Sequence, residues 1–130
     1  MAEIKTVTAA VILIGNEVLS GRTRDANLQY LGENLNAIGV RLQEVRVIPD
    51  VEDVIVSAVN QLRAEFDYVF TTGGIGPTHD DITAACIAKA FGVDVILDPE
   101  AERLVRSNYA TPEDVTPARL KMAHVPAGSA

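Results

Sequence analysis

The sequence predicts a three-layer α/β/α sandwich with a mostly parallel sheet, and three observations carry that expectation. Strand-like and helix-like stretches alternate from end to end. The first strand-like stretch, Val7 to Ile14, is almost unbroken apolar sequence, as in a strand covered on both faces. Segments bearing glycine or acid follow Ile14, Ile48 and Phe70, where strands of such sheets hand over to helices and ligands bind.

The elements follow in order. Gly15 stops the first strand, and Gly15 to Asp25 reads as a polar loop holding Arg22 and Arg24. Leu28, Leu31, Leu35 and Ile38 then recur as one helical stripe, with Asp25 placed to cap the start and Gly39 the end. Arg41 to Ile48 alternates and suits a less buried strand, closed by Pro49-Asp50. Val54, Ile55, Ala58, Val59, Leu62 and Phe66 mark a second amphipathic helix, and Tyr68-Val69-Phe70 a short strand.

A third helix is expected from about Asp81 to Phe91, ended by Gly92, then a strand over Val93 to Leu97. Glu100 to Tyr109 reads as a helix after Pro99, and Thr116-Pro117 as the capped start of a last short one reaching Ala123. Val125 to Ala130 looks turn-like. A finished α/β domain often ends on an edge strand or a docked helix, so a single domain over 1–130, cut short on its C-terminal side, is expected.

Composition narrows the function classes. The 130 residues carry 11 Lys+Arg against 18 Asp+Glu, a formal net charge of −7 that argues against a nucleic-acid binder. With 48% hydrophobic residues the chain has the apolar surface needed to fold. One cysteine, Cys86, precludes an internal disulfide and suits a reducing compartment. The apolar run at Val7–Ile14 is too short to span a bilayer. The flank Met1-Ala2-Glu3-Ile4-Lys5 shows no export signal, so a cytoplasmic protein without membrane partners is expected.

The strongest local signal is Thr71-Thr72-Gly73-Gly74-Ile75-Gly76-Pro77-Thr78-His79-Asp80-Asp81-Ile82-Thr83. Three glycines after a buried strand allow close backbone approach and positive φ, and successive N–H groups there form an anion-binding concavity. The helix beyond adds its positive end, and Thr72, Thr78 and Thr83 offer hydroxyls. A phosphate or pyrophosphate is the natural guest, and a Cβ at Gly74 would crowd it or demand an unfavourable φ. The alternative is a plain strand-to-helix turn with Asp80 or Asp81 as the helix cap. It is neither a P-loop nor a dinucleotide fingerprint.

Two adjacent carboxylates beside a phosphate repel it unless a cation intervenes, so Asp80 and Asp81 point to Mg²⁺. Asp50, before the second helix, reads first as a cap. Glu17 of Gly15-Asn16-Glu17 could bind a metal or a hydroxyl, or be a solvated loop acid. His79 and His124 show no metal-triad spacing.

Taken together, Gly15-Asn16-Glu17-Val18-Leu19-Ser20-Gly21…Asp25-Ala26-Asn27, then Val47-Ile48-Pro49-Asp50, then Thr72 to Thr83, resemble the molybdopterin-binding domain superfamily. The superfamily includes the adenylyltransferase and the insertase of molybdenum-cofactor assembly. The nearest branch is the N-terminal domain of the competence/damage-inducible protein A family, with its G-D-E-L-L-x-G…D-x-N and T-G-G-L-G-P-T-x-D-D patterns. The resemblance covers nearly the whole chain.

It implies an α/β domain, trimeric or dimeric, that binds a phosphorylated pterin or a nucleotide. Gly73, Gly74 and Gly76 would hold the phosphate, with Ile75 and Pro77 in the same turn. Asp50 and Asp81 match acids used by the adenylyltransferases, and Glu17 the acid of G-D-E. Asn16 departs from the usual aspartate, which puts a metal role there in doubt.

The expected function is therefore Mg²⁺-assisted action at a phosphate or pyrophosphate of molybdopterin or a nucleotide. Adenylyl transfer competes with pyrophosphate hydrolysis of an ADP-ribose-type nucleotide. A binding or sensing module without turnover is the rival class.

Overall fold

The computed structural model describes residues 5–130; the flank Met1–Ile4, read above for an export signal, lies outside them. Two compact units, Met1–Thr72 and Gly73–Ala130, make up the fold. The class is the expected one, mixed α/β with a parallel sheet.

The first unit contains β1 (Thr8–Ile14), α1 (Asn16–Leu19), α2 (Asn27–Ala37), β2 (Arg41–Ile48), α3 (Glu52–Glu65) and β3 (Tyr68–Thr72). Its sheet has the order β2-β1-β3, all parallel. Ala9 to Ile14 are buried without interruption, as their apolar run requires of a central strand. β2, at the edge, alternates exposed and half-buried residues until Ile48. Ile14 pairs with Ile48 and Leu13 with Thr72, so the three strands deliver their carboxyl ends side by side.

α3 buries Ile55, Ala58, Val59 and Leu62, the stripe read from the sequence. The α2 stripe is narrower than expected. Leu35 is buried, whereas Ile38 is 74% exposed. The helix has ended by then, and Ile38 sits at the cap position with non-helical backbone. Asp25 serves the start as anticipated, accepting from the Leu28 N–H at 3.0 Å. One helical turn, α1, interrupts the stretch read as loop. Four residues are too few to show a period.

The second unit contains α4 (Thr83–Phe91), β4 (Val95–Leu97), α5 (Pro99–Ser107), a 3₁₀ turn at Pro112–Asp114, α6 (Pro117–Leu120), a 3₁₀ turn at Lys121–Ala123, and β5 (His124–Pro126). β4 and β5 pair antiparallel, an arrangement the alternation did not suggest. The segment read as a closing turn thus begins as a strand: Pro126 hid it, yet a missing N–H is tolerated at the last residue of an edge. β4 starts later than Val93 because the Val93 N–H closes α4, donating to the Ala88 carbonyl at 3.0 Å. The cap read at Thr116-Pro117 is present, and Asp98, which the sequence reading does not name, caps α5 in the same way. Asp98 accepts from Ala101, and Thr116 from Arg119, each just ahead of a proline.

Cys86 is 2% exposed on α4 among Ala88 and Ala90, a small core residue. No helix among the described residues is long and apolar enough to cross a membrane.

The contrast between the two stripes is measurable by urea denaturation. Leu62→Ala, at a position with no exposed surface, should cost about 2–4 kcal/mol. Ile38→Ala should stay within about 0.5 kcal/mol.

Candidate functional site

Two groups of side chains named from the sequence are assembled, one in each unit. In Met1–Thr72 the group stands at the carboxyl ends of the parallel strands. The Gly15 N–H donates to the Ile48 carbonyl at 3.0 Å, which draws the exit of β1 to the exit of β2. The next residue, Asn16, donates through Nδ2 to Asp50 Oδ1 at 2.8 Å. The cap reading of Asp50 is therefore corrected: α3 has Val51 at its cap position and no side-chain cap bond. An amide beside a carboxylate is a neutral donor meeting a charged acceptor, where a second aspartate would bring like charges together. The Glu17 carboxylate folds back over Gly15, so close that a Cβ there would lie 2.4 Å from Oε1. Thr72 is half-buried at the end of β3.

In Gly73–Ala130 the group is the glycine turn itself. Gly73 and Gly74 adopt φ of 93° and 67°, the left-handed region that favours glycine. Thr83, 1% exposed, closes the turn onto α4: its hydroxyl donates to the Gly73 carbonyl at 2.8 Å and its N–H to the Gly74 carbonyl at 3.0 Å. A threonine hydroxyl has one proton, so here it secures the backbone. The N–H groups of Gly74 and Ile75 have no hydrogen-bond partner among the described residues.

A Cβ on Gly74 would stand 2.2 Å from Thr83 Oγ1. The crowding expected against an anion is thus crowding against this closure. Neither Asp80 nor Asp81 caps α4, which starts two residues after Asp81 with no side-chain cap bond. Instead Asp81 Oδ2 accepts from Thr78 twice, from the hydroxyl at 2.8 Å and the N–H at 3.0 Å. A Cβ on Gly76 would meet the same oxygen at 2.8 Å.

The Thr78 hydroxyl bond, helped by the N–H groups of Thr78 and Gly76 and by the Lys121 charge, holds the Asp81 carboxyl below its ordinary value; partial burial opposes this. Asp80 differs. It is exposed and faces only His79, Nε2 to Oδ1 at 3.2 Å.

Lys121 was not anticipated. From the 3₁₀ turn after α6 its ammonium donates to the Thr78 carbonyl and, at 2.6 Å, to the Asp81 carbonyl. A lone lysine forty positions downstream carries no local signal. Lys121 and Asp81 line a pocket of about 720 Å³ with Pro77, Ile82, Val95 and Pro117, a volume that suits a small molecule.

Among the described residues no three His, Cys, Asp or Glu side chains cluster tightly enough to hold a metal by themselves.

A family model described as "Probable molybdopterin binding domain" matches residues 10–127. The chain is 41% identical over 123 residues to a protein of Pyrobaculum calidifontis, covering 94% of this chain and 47% of that one. It is 34% identical to a CinA-like protein of Desulfosudis oleivorans, covering 93% and 30%. The crystal structure of CinA from Thermoplasma acidophilum, a protein of unknown function, superposes with a TM-score of 0.85 at 36% identity, covering 95% of this chain and 73% of that one. The chain spans about half the length or less of these curated relatives.

Two measurements check the turn. Gly74→Ala and Gly92→Ala both place a side chain at φ 67°, but nothing lies within 4 Å of the latter's Cβ. Gly92→Ala should cost about 1 kcal/mol of unfolding free energy, and Gly74→Ala at least about twice that. Stability should also fall in acid. Because the folded carboxyl of Asp81 lies below 3.8, its contribution is present above that pH and is lost as pH drops through the lowered value. Asp81→Asn should remove part of this loss in pH-dependent denaturation, leaving the parts due to Asp67, lowered by the Thr8 N–H and by Lys5, and to Glu100, lowered by its bond from Arg103.

Proposed function

The chain belongs to the molybdopterin-binding domain family, and from that premise we propose that it binds a phosphorylated pterin or nucleotide and acts, with Mg²⁺, at its phosphate or pyrophosphate. The observation that carries the reading is the glycine turn. Its left-handed backbone is closed by Thr83, and the N–H groups of Gly74 and Ile75 have no acceptor among the described residues. Such N–H groups stabilise a negative oxygen, and charge that grows in a transition state benefits most.

The remaining groups take complementary roles. Asp80, the exposed acid, would hold Mg²⁺ together with phosphate oxygens of the ligand. When bound, that ion supplies charge neutralisation and polarises the phosphoryl group. Asp81, kept ionised by its bonds to Thr78, is the acid of the turn available to orient a nucleophile or accept its proton; in the other unit Asp50, steadied by Asn16, is an acid of the same kind. Glu17 would bind a ligand hydroxyl.

Of the two reactions open to this set, we favour hydrolysis of a nucleotide pyrophosphate, the one that the resemblance to the competence/damage-inducible protein A family implies. In that reaction a water oxygen bonds to phosphorus, the bond to the bridging oxygen breaks, and ADP-ribose gives AMP and ribose phosphate. Adenylyl transfer to molybdopterin uses the same cradle with a different acceptor. A homo-oligomer, dimer or trimer, is the assembly we expect.

The test is incubation with ADP-ribose, or with ATP and molybdopterin, with and without Mg²⁺, followed by chromatography of the products. AMP with ribose phosphate, formed only with Mg²⁺, is the expected result. Adenylylated pterin would indicate the transferase, and stable binding without product over hours would replace catalysis by a sensing role. Asp81→Asn should lower turnover by about two orders of magnitude while the protein remains folded.

A further inference from the structure

We propose that Lys121 is a ligand-binding residue: it ties the glycine turn from outside and presents its remaining N–H to an anionic oxygen of a molecule seated in the pocket it lines. The inference deepens the phosphate-site reading and rests on it. An ammonium has three donors in tetrahedral array. Two are accounted for, by the carbonyls of Thr78 and Asp81. The third has no protein acceptor among the described residues, and Lys121 borders the pocket of about 720 Å³.

The three arginines of this unit are committed elsewhere. Arg103 and Arg106 pair with Glu100 and Glu102 along α5, and Arg119 lies over the Tyr109 ring, 4.7 Å from its centroid. In a chain of net charge −7, a positive group at the rim is what lets an anion approach. Pro77, Ile82, Ala85, Val95 and Pro117 give the pocket an apolar side, and Asp81, His79 and His124 share the rest of its wall with Lys121. The chemistry therefore selects an amphipathic guest with a flat or apolar body against that side and phosphate oxygens at Lys121. A nucleoside diphosphate has this form, and inorganic pyrophosphate has only the charged half.

Lys121 acts on the turn as well. By holding two carbonyls outward it fixes peptide planes at Thr78 and Asp81, and with them the loop between.

The probes are ADP and inorganic pyrophosphate, titrated calorimetrically into the folded protein with Mg²⁺, beside Lys121→Met and Lys121→Arg. ADP should bind wild type more tightly than pyrophosphate. Lys121→Met should weaken ADP by at least about tenfold and reduce its salt dependence, as loss of a charge-assisted bond requires. Lys121→Arg should stay within about threefold of wild type, because it keeps the charge. Without ligand, amide exchange over residues 76–81 should quicken in Lys121→Met.

Equal ADP affinity in wild type and Lys121→Met would overturn the Lys121 role and leave the phosphate reading standing. No binding of either probe by wild type would overturn both. Should Lys121→Met fail to fold, the NMR signal of the Lys121 ε-methylene in wild type decides: a shift on adding ADP supports the proposal, and an unmoved signal rejects it.

Discussion

The closure of the glycine turn by Thr83 is the constraint on which the candidate site in Gly73–Ala130 depends. One residue with almost no exposed surface supplies both bonds, hydroxyl to Gly73 and N–H to Gly74. Those carbonyls would otherwise sit half-buried at a helix start, where unsatisfied acceptors are costly. Because the carbonyls turn towards Thr83, the adjoining N–H groups are left to face something else. The geometry works only if Gly74 carries no side chain, since a Cβ would occupy the position of the Thr83 hydroxyl. Residues nine positions apart are thus coupled sterically.

The same economy runs through the acids. Asp81 is held by the turn it stabilises, and Asp50 by a neutral amide from the exit of a neighbouring strand. Each keeps a carboxylate in a defined orientation without burying an uncompensated charge. Asn16, where the related pattern has aspartate, avoids setting two negative groups 2.8 Å apart. Asp80 differs from both in being solvated, so of the acids in the turn it is the one that can recruit a cation at small cost.

Much of this was legible in the sequence, and what was not has identifiable causes. β1, α3 and the cap at Thr116 follow from apolar runs, helical spacing and proline placement, all of which act over a few residues. The residues of the glycine turn are legible but its inner bonding is not: the sequence offers Thr83 and Asp81 as polar groups of the turn without saying that they bond to Gly73, Gly74 and Thr78, because a sequence does not say which acceptor a donor finds. Asn16–Asp50 and Lys121–Thr78 join residues separated by more than thirty positions, beyond any local pattern. β5 was missed because antiparallel pairing with β4 outweighs the turn propensity of Val125-Pro126-Ala127.

The solitary sulfhydryl of Cys86 has a practical consequence. With 2% of its surface accessible, it is shielded from a maleimide dye while α4 stays packed. The rate at which native protein becomes labelled therefore counts how often that helix breathes open, with no engineering and no background from other thiols. Comparing the rate with and without a candidate metabolite would turn the chain into its own screening device.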